Sequence, residues 1–376
     1  MTINPYSGSP FSYVNEPAVA PYSIVELMPG VRNLCDYVGL AAGERVLLLM
    51  EHTVDPVVVQ AIAAAAALRD ADVRILSVPP FSAGGWDREA ELPIETAAFH
   101  NADVVIGGTW WGEVHTAPLF FDQIGARQAR FVSLHMTATA GALLTGARLP
   151  ADVFYALVAA ALRQLAGASS IRVTSERGTD VTFSGLTFED PGPAGLRPGD
   201  WRPFPYGGVN FWPTGTEGVI VVEDSTVTGV PEEPLRITLE GNLVRKIEGG
   251  AAAEQLRRYA PGGFYLRHGL FGLNPKVRIA GGTQFEREKH AGAFYCGIDG
   301  LTDGEPVTTG PGFAHCDIQV DRPTVVVDGN TFVERGRLLL LDEPEVRRAA
   351  ARFGPPEVIL DDNPVLILPR RYSGAR

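Results

Sequence analysis

His315, Cys316 and Asp317 put an imidazole and a carboxylate two residues apart. On a strand, alternation sends both to one face and Cys316 to the other, as two ligands of one metal require. A third donor, His268, lies upstream in the segment FYLRHGLFGLNP, where Gly269, Gly272 and Pro275 imply a tight, irregular backbone. Two imidazoles and one carboxylate can occupy one face of an octahedral ferrous ion and leave the opposite positions for substrate and dioxygen. An isolated H-x-D is weak by itself, and the bland reading of His268 is a turn histidine.

The other histidines are weaker candidates. His52 and His135 fall at or near the ends of N-terminal strands and His100 falls in a helix, all positions that suit structural or surface roles. His115 follows Trp110, Trp111 and Glu113 in the loop after a third strand, where α/β sheets place ligands. Trp110, Trp111, Phe204, Tyr206, Phe211 and Trp212 could form a planar apolar slot for an aromatic substrate, with Trp111 and Trp212 the favoured members. The alternative is that these rings pack a domain interface.

The elements that must position these groups fall into two kinds. RVLLLM (45 to 50) is the short continuous apolar run of a strand buried on both faces. Thr53 or Asp55 can cap the alanine-rich helix that follows, and Pro56 suits its first turn. VRILSV (73 to 78), a helix in ETAAFHNA, VVIGG (104 to 108), FVSLHM (131 to 136) and a helix from about Pro150 to Ala166 continue the βαβ pattern. This predicts an α/β, doubly wound, Rossmann-like domain over 1–168. It carries neither G-x-G-x-x-G after the first strand nor a P-loop, so nucleotide binding is not expected.

Near Ser169 the pattern changes. SIRVTSERGTDVTFSG reads as two strands around a turn at Glu176 to Asp180, and GVIVVED, LRITLEGNLVRKIEG, VRIAGG and a hairpin at Asp328-Gly329 follow. The expectation is a β-rich α+β metal-binding domain over 169–376, with one helix at Ala251 to Tyr259. Residues 189 to 216, dense in Pro, Gly, Trp and Phe, read as an ordered loop that covers something.

Composition bounds the function. With 376 residues, two domains are the natural prior. A net charge of -12 without clustered Lys and Arg argues against nucleic acid. Cys35, Cys296 and Cys316 are too few and too scattered for a disulfide framework and suit a reducing cytoplasm. Neither a signal peptide nor a bilayer-spanning segment is expected, because the most apolar stretch, Val57 to Leu68, is too short.

The chain resembles two related groups. One is the aminopeptidase T group of dinuclear metallopeptidases; the other is the 2,5-dihydroxypyridine 5,6-dioxygenases of nicotinate catabolism, which look like the same fold with one iron. The resemblance is loose in the first half and sharper from about Trp201. Where the peptidases carry a glutamate soon after a P-T-G turn, Pro213-Thr214-Gly215 runs straight into Thr216-Glu217-Gly218. Four residues before Gly272-Leu273-Asn274-Pro275, the peptidase glutamate is replaced by His268. Seven residues after an E-K pair, here Glu288-Lys289, their histidine is replaced by Tyr295. The final H-x-D is kept, and Gly292 to Gly297, GAFYCG, is similar to the dioxygenases' A-F-Y-G run.

What the resemblance implies is a non-haem Fe(II) ring-cleaving dioxygenase with metal ligands His268, His315 and Asp317. Its substrates would be dioxygen and a hydroxylated aromatic or N-heteroaromatic molecule, and it would form a homo-oligomer. Trp110, Trp111, Tyr206 and Trp212 would bind the ring, and Tyr295 or His290 would hydrogen-bond bound oxygen. The dioxygenases' acid/base histidine in W-x-H-W-P falls on Pro203; Tyr206, His290 or His115 stand as replacements. Two alternatives remain: a metal-dependent aminopeptidase or hydrolase of the same fold, using Glu217 or Glu286, and a non-catalytic aromatic-ligand-binding protein.

Overall fold

The computed structural model describes residues 23–79, 97–109, 128–189, 196–205, 207–277, 283–307 and 314–362. Trp110, Trp111, His115, Tyr206 and most of the VRIAGG segment lie outside them. The first sheet has the order β2-β1-β3-β4-β8, from β1 (Arg45–Glu51), β2 (Asp72–Val78), β3 (Val104–Gly108), β4 (Arg130–Ser133) and β8 (Trp201–Pro203), and all its pairings are parallel. Every residue of β1 after Arg45 is buried. Its side chains divide by alternation: Val46, Leu48 and Met50 join one apolar cluster, and Leu47 and Leu49 join a second with Val105 and Phe131. A strand covered on both faces must be apolar throughout, which explains the RVLLLM run.

The helix Pro56–Ala67 begins as its sequence dictates. Asp55 is the N-cap, its carboxylate accepting from the Val57 N–H at 2.8 Å, and Pro56 occupies the first turn. The helix Ala151–Leu165 buries Val153, Phe154, Leu157, Val158, Ala161 and Leu165, a stripe at helical spacing. Among the described residues no single helix is long and apolar enough to cross a membrane.

The remaining strands form one long, curled antiparallel sheet. They are β5 (Ser170–Thr174), β6 (Asp180–Ser184), β7 (Thr187–Phe188), β9 (Gly208–Trp212), β10 (Gly215–Val222), β11 (Asp224–Ser225), β12 (Leu235–Glu240) and β13 (Leu243–Glu248), followed by β14 (Phe264–Gly272), β15 (Phe294–Thr302), β16 (Glu305–Pro306), β17 (His315–Val320), β18 (Thr324–Val327), β19 (Asn330–Glu334) and β20 (Arg337–Leu338). The main path is β11-β17-β15-β14-β13-β12-β10-β6-β5-β18-β19-β20, with β9 added against β14. The helix Gly250–Tyr259 lies between β13 and β14, one residue longer at its start than expected.

Residues 189 to 216 differ from the expected loop. They contain β8, which ends the parallel sheet, and β9, which pairs β14. Pro203 is tolerated because β8 is an edge strand, where a missing N–H breaks no ladder. The larger apolar cluster runs from Leu27 through the parallel sheet to Leu341 and Leu360 without interruption, so the two sheets share a core.

Candidate metal centre

Three adjacent antiparallel strands build the site. β15 is the middle one, with β14 on one side and β17 on the other. His268 and Asp317 both pair with Gly297, and His315 pairs with Asp299 two positions along. Paired residues project to the same face, so the H-x-D alternation and the upstream histidine converge across the sheet. One ligating atom from each of His268, His315 and Asp317 lies within 4.8 Å of the others, and all three residues are partly buried. Cys316 pairs with Ile298 and is buried, consistent with its projection to the opposite face.

The centre of this arrangement is a missing side chain. A Cβ on Gly297 would lie 2.2 Å from His268 Cε1 and 2.8 Å from His315 Cε1. The two rings sit nearly parallel over that gap, 5.6 Å apart with 12° between their planes. Glycine is the residue that lets two imidazoles approach a strand this closely. The donor set suits a divalent metal such as iron, and the cradle at Gly297 holds its two nitrogen donors side by side.

The electrostatics separate the histidines. Burial holds His268 down to about 4, with His315 adding to the effect, so its ring is neutral and offers a lone pair. Burial pushes His315 down as well, but Asp317 and Asp299 outweigh it and raise the ring to about 10. His315 Nδ1 lies 2.6 Å from Asp299 Oδ1, and Nε2 lies 3.0 Å from Asp317 Oδ1. Nε2 and the Asp317 carboxylate thus face one another as two donors of one cation would.

A second row lies next along the same face. Leu270, Tyr295 and Gln319 pair in series, followed by Asp224 on β11. Tyr295 is buried and its hydroxyl donates to Gln319 Oε1 at 2.8 Å. The short helix Gln284–Arg287 is tied to this region: the Gln284 amide donates to the Asp317 carbonyl at 3.0 Å, and Arg287 pairs with Asp224. Glu288 and Lys289 follow as a buried ion pair at 2.6 Å. Burial pushes Glu288 up to about 7 against the pull of Lys289, and Asp317 adds to the rise.

The other predicted residues are placed as follows. His290 is buried, with Nδ1 2.9 Å from the Val277 carbonyl, and burial lowers its basicity. Trp212 is 38% exposed at the end of β9, one residue past Phe211, which pairs with Gly269. Glu217 is exposed and accepts from the Gly241 N–H at 2.9 Å. Glu286 is buried and accepts from the Thr145 hydroxyl at 3.2 Å. Phe204 and Phe211 are fully buried, so these two members of the expected aromatic slot are core residues.

Sequence reasoning passed over Gly297, Asp299 and Arg267. A signal existed for two of them: Tyr295, Gly297 and Asp299 alternate in FYCGID, so the strand that carries Tyr295 presents all three to one face.

Fold and donor group together define the class: a mixed α/β protein with a parallel sheet and a long antiparallel sheet, bearing two histidines and an aspartate on one face of the latter. Within that class, the chain belongs to the 2,5-dihydroxypyridine 5,6-dioxygenase (NicX) family, whose sequence model matches residues 26–340. This makes it a member of a dioxygenase family, an oxidoreductase by class. Its fold is similar to that of the 2,5-dihydroxypyridine dioxygenase from Pseudomonas putida KT2440, at a TM-score of 0.68 and 22% identity over 87% of this chain and 100% of that one. It is also similar to AmpT from Thermus thermophilus, at 0.57 and 14% identity over 84% of this chain and 100% of that one. No curated protein matches the chain in sequence.

Proposed function

We propose that the protein is an Fe(II)-dependent dioxygenase that opens the ring of a hydroxylated aromatic or N-heteroaromatic molecule resembling 2,5-dihydroxypyridine. The observation that carries this reading is the convergence of His268, His315 and Asp317 within 4.8 Å, in a chain of the dioxygenase family. Ferrous iron held by these three would leave positions for substrate and dioxygen and would let electrons pass from the electron-rich ring to oxygen.

The chain's own residues have distinct parts in this proposal. His268, neutral because it is buried, and His315, released from its contact with Asp317, present two nitrogens over Gly297. Asp317 supplies the negative charge that favours a cation. Trp212, partly exposed one step beyond the residue that pairs with Gly269, would stack on a planar substrate ring. Tyr295 and Gln319 form the adjoining row of hydrogen-bonding groups. Pro203 cannot handle a proton, and His290 is buried with its Nδ1 held by the Val277 carbonyl. The substrate hydroxyl would therefore lose its proton without help from position 203.

The test is anaerobic loading with Fe(II), followed by oxygen uptake in the presence of hydroxylated pyridines and catechol-like rings. The expected result is one iron per chain, uptake with at least one ring, and loss of both in His315→Ala. Absence of uptake with every ring, together with unchanged metal content in His315→Ala, would overturn the reading. Hydrolysis finds less support, because Glu217 and Glu286 accept from Gly241 and Thr145 and neither belongs to the group of His268, His315 and Asp317.

A further inference from the structure

The pairing of β14 with β15 is irregular at one place. Leu266 pairs with Ile298 and His268 with Gly297, so Arg267 is an extra residue in β14. In a regular strand, neighbours 267 and 268 would point to opposite faces. A β-bulge cancels that alternation and re-aims the side chain. Here it allows Arg267 and His268, adjacent in sequence, to reach groups on the same face: His268 lies over Gly297, and Arg267 reaches Asp299, two residues along the same strand.

Asp299 is fully buried and has two partners. Arg267 Nη1 donates to its Oδ2 at 2.9 Å, and His315 Nδ1 lies 2.6 Å from its Oδ1. The chain of contacts therefore runs from Arg267, whose side chain is 41% exposed, through a buried carboxylate to an imidazole of the metal group. The backbone of that same histidine is held independently: Tyr259 donates its hydroxyl to the His315 carbonyl at 3.2 Å and accepts from the His315 N–H at 3.3 Å.

We propose that Arg267 and Asp299 form a positioning relay that fixes His315 as an Nδ1–H donor and keeps its Nε2 aimed at the metal position. The inference rests on the metal reading above. A carboxylate that accepts from the far nitrogen of a ligating histidine sets the tautomer, fixes the ring plane and raises ligand basicity. Arg267 holds that carboxylate in one rotamer and compensates its buried charge, which would otherwise draw the His315 proton more strongly. The bulge is the backbone's contribution, because without it Arg267 and His268 would point to opposite faces.

Two measurements test the relay. In metal-free protein with 15N-labelled histidine, Asp299→Asn and Arg267→Met should each change the His315 nitrogen shifts at fixed pH, and Arg267→Lys should recover part of the wild-type signal. In anaerobic titrations with Co(II) and Fe(II), Asp299→Asn should bind about 10–100-fold more weakly than wild type. Arg267→Met should show a smaller loss in the same direction, and circular dichroism should show that all variants remain folded at the temperature of the titration. Unchanged His315 shifts in both variants would overturn the relay, as would full affinity in Asp299→Asn alongside wild-type binding that His315→Ala abolishes. Wild-type protein whose metal binding ignores His315→Ala would instead remove the metal reading, while the nitrogen shifts still decide the relay.

Discussion

His268 and Gly297 are paired across β14 and β15, and the imidazole occupies the space that a side chain at 297 would fill. The consequence is specific. In Gly297→Ala the new methyl would stand within 2.2 Å of His268 Cε1, so both rings must move while the backbone of a central strand stays. Misplacement of reacting groups by about 1 Å can cost on the order of 10²-fold in rate. We expect Gly297→Ala to retain wild-type circular dichroism and to lose turnover by about that factor, with weaker Fe(II) binding. Wild-type turnover and affinity in the variant would show that the rings do not need this gap.

Phe211 fills a second gap of the same kind. A Cβ on Gly269 would lie 2.3 Å from Phe211 Cζ, and the ring stacks on Phe271 at 5.2 Å and meets Phe183 edge-on at 5.4 Å. This fully buried ring thus supports the strand residue next to His268. Truncation to alanine should cost about 3–5 kcal/mol of stability, measured by denaturant unfolding. A cost below about 1 kcal/mol would mean that the site's floor is held by other contacts.

The parts of this site that were legible in sequence follow local rules. His315 and Asp317 were legible because a strand's period of two is written in the chain itself. The parallel layer was legible because a doubly covered strand must be apolar at every position, as Arg45–Glu51 is after its first residue. His268 needed the spacing to Gly272-Leu273-Asn274-Pro275 as a ruler. Arg267 was not legible at all: its role depends on a bulge, and a bulge is a property of pairing between strands that lie about 30 residues apart in the chain. Within 189 to 216, β8 escaped because three residues ending in Pro203 show no alternation, and β9, which does alternate by burying Val209 and Phe211, is only five residues long among Pro and Gly. The aromatic residues divided by burial, with Phe211 in the core and Trp212 at the surface, which their common chemistry does not encode.

The cysteines offer a check on the opposite face of the site strands. Cys296 and Cys316 flank the row of His268, Gly297 and Asp317 but are buried with no disulfide, as is Cys35. Burial raises Cys35 to about 11 and Cys316 to about 12, and Cys296 well above its ordinary range. Since the thiolate is the reactive form, all three should resist a disulfide exchange reagent at pH 8 in the native protein and react fully in denaturant. Rapid native labelling of Cys316, quenched by metal, would place it on the ligand face and contradict the strand register.

Acid stability provides a test far from the site, at the turn Asp328-Gly329 between β18 and β19. Both residues have positive φ, 44° and 84°, the backbone that a two-residue hairpin of the primed type demands. The Asp328 carboxylate accepts from the Ser169 hydroxyl at 2.7 Å and from the N–H groups of Ser169 and Ser170 at 2.9 Å each. These bonds, led by the Ser169 hydroxyl, pull Asp328 down to about 2, below the roughly 3.9 of an unfolded aspartate. A carboxylate depressed on folding stabilises the native state above its unfolded value and loses that contribution as pH falls through its folded value. Asp328→Asn keeps a residue that tolerates positive φ, so the comparison isolates the charge. Its melting temperature should lie below wild type at pH 7, and the gap should narrow between about pH 4 and pH 2. A gap that stays constant down to pH 2 would assign the loss to hydrogen-bond geometry instead of ionisation.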